Sequence, residues 1–374
     1  MAFKFSLQTE PSVESVDTLL DDMAELSEIK GEIESLIGQL PELDAVYENL
    51  TSSIEALNNA KDKDEAVRAL NVDGSLEALL GVAEDKITAK AAMEGFGDKL
   101  KEWWNKFVEW VKRLCRRISN FFRKLFGMAP KVSKEAQELA DLTGEDPEKV
   151  QQGLDKMKDE LEKAGKQLAA AFDNAEFEKA FNEGMKLGQE AFKQLDTASK
   201  IQSANREELD RLTKETEKVM AELADPNSAL SKSIEEAGKA MWGDDFSYIR
   251  DSNEGIAVAV TVAAVQANLK AVSKDSSAKV PNMSKQLADS TDKCEKVISQ
   301  SALARMSAKE IDEFYASGGK VEDPALFKAA VATYKGLSKA VTVLHAKLGK
   351  LLSARMSREQ KYVNTCKKAI ASAA

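Results

Sequence analysis

The chain has 374 residues, with 53 Lys and Arg against 63 Asp and Glu, and a formal net charge of −10. Hydrophobic residues make up 43%, so the chain can bury a core and is not disordered throughout. With 6% aromatic residues, 7 Pro and 19 Gly, the composition argues against an all-β sandwich or propeller and predicts an all-α fold, a bundle of many antiparallel helices.

Residues that carry chemistry are scarce. The chain has a single histidine, His345, and three widely spaced cysteines, Cys115, Cys294 and Cys366. This nearly excludes a Cys/His zinc site and a histidine-based nucleophile relay, and no nucleotide-binding glycine motif is present. We therefore predict no enzymatic activity, no metal, no cofactor and no small-molecule substrate. The odd cysteine count and the absence of a secretion signal predict a soluble protein made in the cytoplasm.

The charge is divided unevenly along the chain. Residues 1–94 hold 7 basic and 21 acidic residues, a formal charge of −14, whereas residues 95–374 hold 46 basic and 42 acidic residues, or +4. Apolar residues recur at three- and four-residue steps from Val16 to Leu40 and from Val46 to Leu57, which predicts a helical hairpin. The sequence thus indicates an acidic helical region with a separate role.

A basic amphipathic helix over residues 96–126 is the strongest local signal. At about 100° per residue, the apolar side chains from Leu100 to Phe126 fall in one sector and the basic ones in the other. The apolar face includes Phe96, Trp103, Trp104, Phe107, Trp110, Phe121 and Phe122. The basic face, which could meet phosphates or an anionic surface, includes Lys99, Lys106, Lys112, Arg113, Arg116, Arg117, Arg123 and Lys124.

Three interpretations of this helix remain open. Its apolar face could pack into a bundle, as most amphipathic helices do. It could instead lie on a membrane, with aromatic residues at the acyl boundary. It could also pack its apolar face inward and offer the basic face to nucleic acid phosphates without reading sequence, because no DNA-reading motif is present.

The remaining sequence predicts successive helices after a break at residues 127–130. Three Asp-Pro pairs, at 146–147, 225–226 and 323–324, are typical helix starts. Further breaks are predicted at 243–245, 273–277 and 317–319. The predicted helices span residues 134–142, 147–172, 175–200, 205–223, 228–241, 254–273, 283–304, 308–316, 325–353 and 357–372.

Three features of this region also carry expectations. The apolar run 256–267 is too short to cross a membrane and is expected to be a fully buried helix. Residues 327–370 carry a second set of Lys and Arg that could form a basic patch or a solvated face. His345 has no second ligand nearby, so it is expected to be a packed or surface histidine.

The layout resembles internal head proteins of large contractile-tailed bacteriophages. An acidic region ends in Ala92-Met93-Glu94 and is followed at once by residues 95–104, Gly-Phe-Gly-Asp-Lys-Leu-Lys-Glu-Trp-Trp, which open the basic helix. The resemblance implies a precursor packed with capsid and core proteins and cut after Glu by a prohead protease. It also implies a mature protein held inside the virion with the DNA, and in some cases injected.

On this resemblance the chain divides into an acidic helical propeptide, 1–94, a basic helix, 95–130, and a helical body, 131–374. Other small-x-Glu triplets end at Glu14, Glu55 and Glu77, but the charge changes sign at Glu94. Two alternatives stay open. One is a membrane-surface-active protein that uses helix 96–126. The other is a cytoplasmic scaffold or adaptor with a permanent acidic domain.

Overall fold

The computed structural model describes residues 89–172, 174–200, 206–225, 227–242, 256–300 and 324–373. All regular structure in these ranges is helical, which confirms the predicted all-α class. The elements are α1 (Ala89–Glu145), α2 (Pro147–Lys156), α3 (Lys158–Phe172), α4 (Ala175–Lys200), α5 (Arg206–Ala224), α6 (Ala229–Trp242), α7 (Val262–Lys274), a π-helical turn (Asp275–Lys279), α8 (Val280–Gln300) and α9 (Pro324–Ala371). The predicted N-terminal hairpin, the helix at 308–316 and the breaks at 243–245 and 317–319 lie outside the described residues.

Helix α9 forms the centre of the bundle. No side chain between Ala340 and Leu352 is exposed, and α1, α3, α4, α5 and α8 all pack around this helix. A helix that is covered on every side has no polar face. The predicted break between residues 353 and 357 is therefore wrong, because Ser353, Arg355 and Met356 are buried inside one continuous helix.

The basic residues along 327–370 differ in exposure: Lys361 and Lys368 are exposed, whereas the side chains of Lys328, Lys335 and Lys339 lie outside the described residues. Arg355 is 1% exposed, and Lys367 donates a hydrogen bond to Glu135 at 3.1 Å. Partial burial lowers the pKa of Lys347. Arg355 and Lys367 thus join α9 to neighbouring elements.

Helix α1 runs through the break predicted at residues 127–130. Pro130 lies inside the helix, where it removes one backbone hydrogen bond at a cost of about 3 kcal/mol. Met128, Ala129 and Val132 are buried on both sides of it. Packing of this face against α7 and α8 outweighs the local cost, so the predicted helix 134–142 is the end of α1.

The break predicted at residues 273–277 is also wrong. The chain passes from α7 into α8 through the π-helical turn, which widens the helix without ending it. Asp275 and Ser276 are both buried there, and both hydrogen-bond to groups on α9. The polar residues of this segment are typical of a loop. Tertiary contacts nevertheless keep the segment helical.

The apolar run 256–267 is only partly helical and is not fully buried, contrary to expectation. Residues 256–261 are non-helical, and Ala257, Ala259 and Thr261 are exposed. The side chain of Asn268 binds both the backbone N–H and the carbonyl of Ala257, at 3.0 and 2.7 Å. Thr261 then caps α7 by accepting a hydrogen bond from the Ala264 N–H at 3.2 Å.

The Asp-Pro pairs differ in their outcome. Asp146 accepts a hydrogen bond from the Lys149 N–H at 3.2 Å and begins α2 as predicted, although a turn at Met157 divides the predicted helix 147–172. At the second pair, Ser228 rather than Asp225 caps the helix, because its Oγ accepts the Ser231 N–H at 3.1 Å. Of the third pair, Pro324 is described and begins α9.

Close helix packing should make one glycine irreplaceable. A Cβ on Gly153 would lie 2.3 Å from the backbone oxygen of Ala369, whereas a Cβ on Gly127 would meet nothing within 4 Å. We predict that Gly153→Ala destabilises the protein by about 1–3 kcal/mol through overpacking. Gly127→Ala should instead stabilise it by about 0.5–1 kcal/mol through higher helix propensity. Urea unfolding measures both, and equal effects would contradict the packing of α2 on α9.

The free energy of unfolding should also decrease as the pH is lowered, because one histidine side chain is buried. His345 is 1% exposed, Thr291 Oγ1 lies 3.0 Å from its Nδ1, and burial lowers its pKa from 6.5 to about 4. Between these values the unfolded chain binds a proton that the folded chain does not. The free energy of unfolding should therefore decrease by up to about 1.4 kcal/mol per pH unit as the pH falls below about 6.5.

The check is urea unfolding at about pH 7 and about pH 5.5. His345→Gln removes the chain's single histidine. Its free energy of unfolding should therefore decrease less between the two pH values than that of wild type. The same pH dependence in both proteins would show that His345 is not the group responsible.

Candidate functional site

Helix α1 divides its surface between the core and solvent, as its sequence predicts. The predicted apolar-face residues Phe121 and Phe122 are buried, with ring centroids 5.1 Å apart in an edge-to-face arrangement. Side chains of Phe96, Trp103, Trp104, Phe107 and Trp110 lie outside the described part of the chain. The other apolar side chains buried along this face are Val108, Val111, Leu114, Cys115, Ile118 and Leu125.

The buried stripe is narrower than the predicted apolar sector. Phe126 is 46% exposed, although the sequence places it on the apolar face. The stripe instead continues through Leu125, Met128 and Ala129, which are buried. Phe126 lies at the edge of the sector, where the neighbouring helices do not cover it.

A glycine on α9 allows the centre of α1 to approach the core. A Cβ on Gly349 would lie 3.0 Å from ring atoms of both Phe121 and Phe122. The absence of that carbon lets the two rings sit directly on the central helix. This contact, together with packing on α7 and α8, fixes which face of α1 is turned to solvent.

The solvent face of α1 carries most of the predicted basic residues. Lys112 is half-buried and bonds Glu109 at 2.8 Å, and this hydrogen bond, with nearby Arg113 and Arg116, lowers the pKa of Glu109. Side chains of Lys99 and Lys106 lie outside the described residues. We call the exposed set the basic strip; it comprises Arg113, Arg116, Arg117, Arg123 and Lys124.

Two members of the basic strip form ion pairs with α8. Arg116 Nε lies 2.7 Å from Glu295 Oε1, and Arg123 Nη2 lies 2.7 Å from Asp292 Oδ2. Sequence patterns do not predict these pairs, because 179 and 169 residues separate the partners. Arg113 and Arg117 have no hydrogen bond or ion pair to another described side chain.

The predicted cleavage residues also lie in α1. Ala92, Met93 and Glu94 are in its N-terminal part, and the backbone is helical from Ala89 onward, through the charge boundary at Gly95. Their side chains are outside the described residues. The proposed division at residues 94 and 130 therefore falls at two points within one continuous helix.

A second charged cluster lies at the centre of the bundle. Arg355 donates Nε and Nη2 to the two carboxylate oxygens of Asp275, each at 2.9 Å, and donates Nη1 to the carbonyl of Ala171. Ser276 donates to Glu359, whose pKa burial and the adjacent Asp275 raise well above its usual range. All five residues are buried, so the cluster joins α3, the π-helical turn and α9 and is closed to a substrate.

The described residues offer no centre for metal chemistry. No group of His, Cys, Asp and Glu side chains among them is arranged to hold a metal ion. The three cysteines are buried free thiols, and burial raises the pKa of Cys366 to about 12. In the same part of the chain, no helix has the length and apolar character needed to span a membrane. The basic strip is the candidate functional surface.

Comparison with known proteins identifies the family. No curated protein and no solved structure matches the chain. The family model for phiKZ-like phage internal head proteins matches residues 8–363, so it includes the helical body that carries no motif of its own. This confirms the resemblance drawn from the sequence and implies a location inside the phage capsid. The chain belongs to the family of phiKZ-like phage internal head proteins.

Proposed function

We propose that this internal head protein is a non-enzymatic virion component that is packaged with DNA after a prohead protease removes its acidic propeptide at Glu94. The mature protein then faces DNA phosphates with the basic strip of α1. In this scheme its other partners are the capsid and core proteins. Injection with the genome is part of the scheme on the family resemblance alone.

The observation that carries the proposal is that α1 has one buried apolar face and one exposed basic face. Its apolar face packs into the core, which leaves Arg113 and Arg117 at the surface without a described partner. Exposed guanidinium groups neutralise phosphates and release counterions, which gives affinity without sequence preference. Such binding suits a protein that is enclosed with a whole genome.

The charge of the propeptide supports the same scheme. Residues 1–94 carry a formal charge of −14 and residues 95–374 carry +4, so removal of the first segment reverses the sign of the net charge. A joined polyanion lowers the attraction of the basic strip for other polyanions during assembly. Cleavage inside the prohead would therefore increase DNA affinity at the time of packaging.

Burial argues against the membrane alternative. An interfacial helix needs its apolar face free to enter the lipid. The face from Val108 to Leu125 is covered by α7, α8 and α9 in this fold. Vesicle flotation tests the point, and wild type should not float more than Trp103→Glu/Trp110→Glu.

Removal of the propeptide should strengthen DNA binding. We predict that residues 95–374 bind duplex DNA more tightly than the full chain at low salt, and that the difference narrows as salt screens the charges. Fluorescence anisotropy with a duplex of arbitrary sequence measures this, with circular dichroism as the check on folding. Equal affinities would remove the proposed role of the propeptide.

The basic strip itself is tested by charge removal. In residues 95–374, Arg113→Gln/Arg117→Gln should reduce the slope of log affinity against log salt by about 1.8, because two phosphate contacts are lost. Lys163→Gln/Lys166→Gln removes the same charge from exposed positions on α3 and should leave the slope nearly unchanged. If the two variants behave alike, binding is not localised to α1.

The cleavage site has a direct test. N-terminal sequencing of the protein from purified virions should give Gly95 as the first residue. An N-terminus after Glu14, Glu55 or Glu77 would move the boundary, and an intact Met1 would contradict processing altogether.

A further inference from the structure

We propose that Asp292 and Glu295 of α8 act as internal substitutes for phosphate, which hold two of the four arginines of the basic strip and limit the affinity of the protein for DNA. This inference rests on the proposed function. It adds a second level of control that remains after the propeptide is gone.

The geometry places the carboxylates where phosphates would bind. Both pairs have N···O distances of 2.7 Å, the contact that a guanidinium would make to a phosphate oxygen. The arginine side chains remain 61% and 63% exposed, so DNA can reach them from the solvent side. The carboxylates are more covered, at 20% for Glu295 and 40% for Asp292, and α8 holds them in place.

The pairs are exchangeable rather than permanent. Exposed ion pairs contribute little net stability, so a dense array of phosphates can displace them. DNA can therefore bind Arg113 and Arg117 directly. To bind Arg116 and Arg123, it must first displace the carboxylates of α8. Weak binding of this kind lets the protein stay among packaged DNA and still release it when the genome leaves.

The arrangement differs from an ordinary charged surface in its position. Many exposed pairs in the described chain, such as Lys239–Glu235, join neighbouring turns of one helix and support that helix. Lys279–Glu178 and Lys367–Glu135 also cross between elements, but they lie outside the basic strip. Arg116–Glu295 and Arg123–Asp292 instead cross from α1 to α8, and they fall on the surface proposed for DNA. Their carboxylates add negative charge to the edge of a positive strip.

The test uses the full chain and the nearly isosteric double variant Asp292→Asn/Glu295→Gln. Binding to a duplex of about 30 base pairs is measured by anisotropy across a salt series. We expect tighter binding by the variant and a slope of log affinity against log salt that is steeper by about 1.8, because two more arginines meet phosphates. The ratio of variant to wild-type affinity should then fall about twelvefold between 50 and 200 mM salt.

A charge-matched control separates position from net charge. Glu235→Gln/Glu236→Gln removes two exposed carboxylates from α6, which packs on α4 and α9. This variant should leave the slope near that of wild type. If it reproduces the effect of Asp292→Asn/Glu295→Gln, only total charge matters and the inference is overturned.

A second comparison identifies the arginines. Arg116→Gln/Arg123→Gln should weaken binding strongly in the Asp292→Asn/Glu295→Gln background and only slightly in the wild-type background. Equal effects in both backgrounds would mean that the carboxylates do not restrain these arginines. If wild type binds DNA and the carboxylate variant binds no differently, this inference alone fails. If no variant binds DNA, the proposed function fails with it.

Discussion

The whole structure depends on the burial of α9. Because its central turns have no exposed side chain, at least five other helices must cover it, and each does so with one apolar face. Helix α1 contributes Phe121 and Phe122 to this cover, and its opposite face is thereby fixed in solvent. The surface proposed to meet DNA is thus a consequence of core packing.

The buried Arg355 cluster shows what complete enclosure of α9 demands. A charged guanidinium in the core requires hydrogen-bond partners, and Asp275 and Ala171 accept three hydrogen bonds from Arg355. The π-helical turn brings Asp275 and Ser276 inward together. Burial and the adjacent Asp275 raise the pKa of the Glu359 carboxyl, which accepts a hydrogen bond from Ser276 beside the Arg355–Asp275 ion pair.

Local sequence signals predicted what local physics controls. The bounds of α4, the start of α2 at Asp146 and the apolar and basic faces of α1 follow from periodicity and capping. The predicted breaks failed at Pro130, at Asp275 and near Arg355, because in each place tertiary packing holds the chain helical. The ion pairs of the basic strip could not be predicted either, because nothing in the sequence distinguishes their carboxylates on α8 from other surface carboxylates.

The unbroken course of α1 has a consequence for the proposed cleavage of the propeptide. A protease cleaves its substrate within a locally unfolded segment, so the rate of cleavage depends on how often that segment unfolds. Glu94 and Gly95 lie within helical backbone, so the proposed cleavage after Glu94 would require the first turns of α1 to unwind. Gly95 and Gly97 each weaken a helix by about 1 kcal/mol relative to alanine, which lowers the cost of unwinding this part of α1.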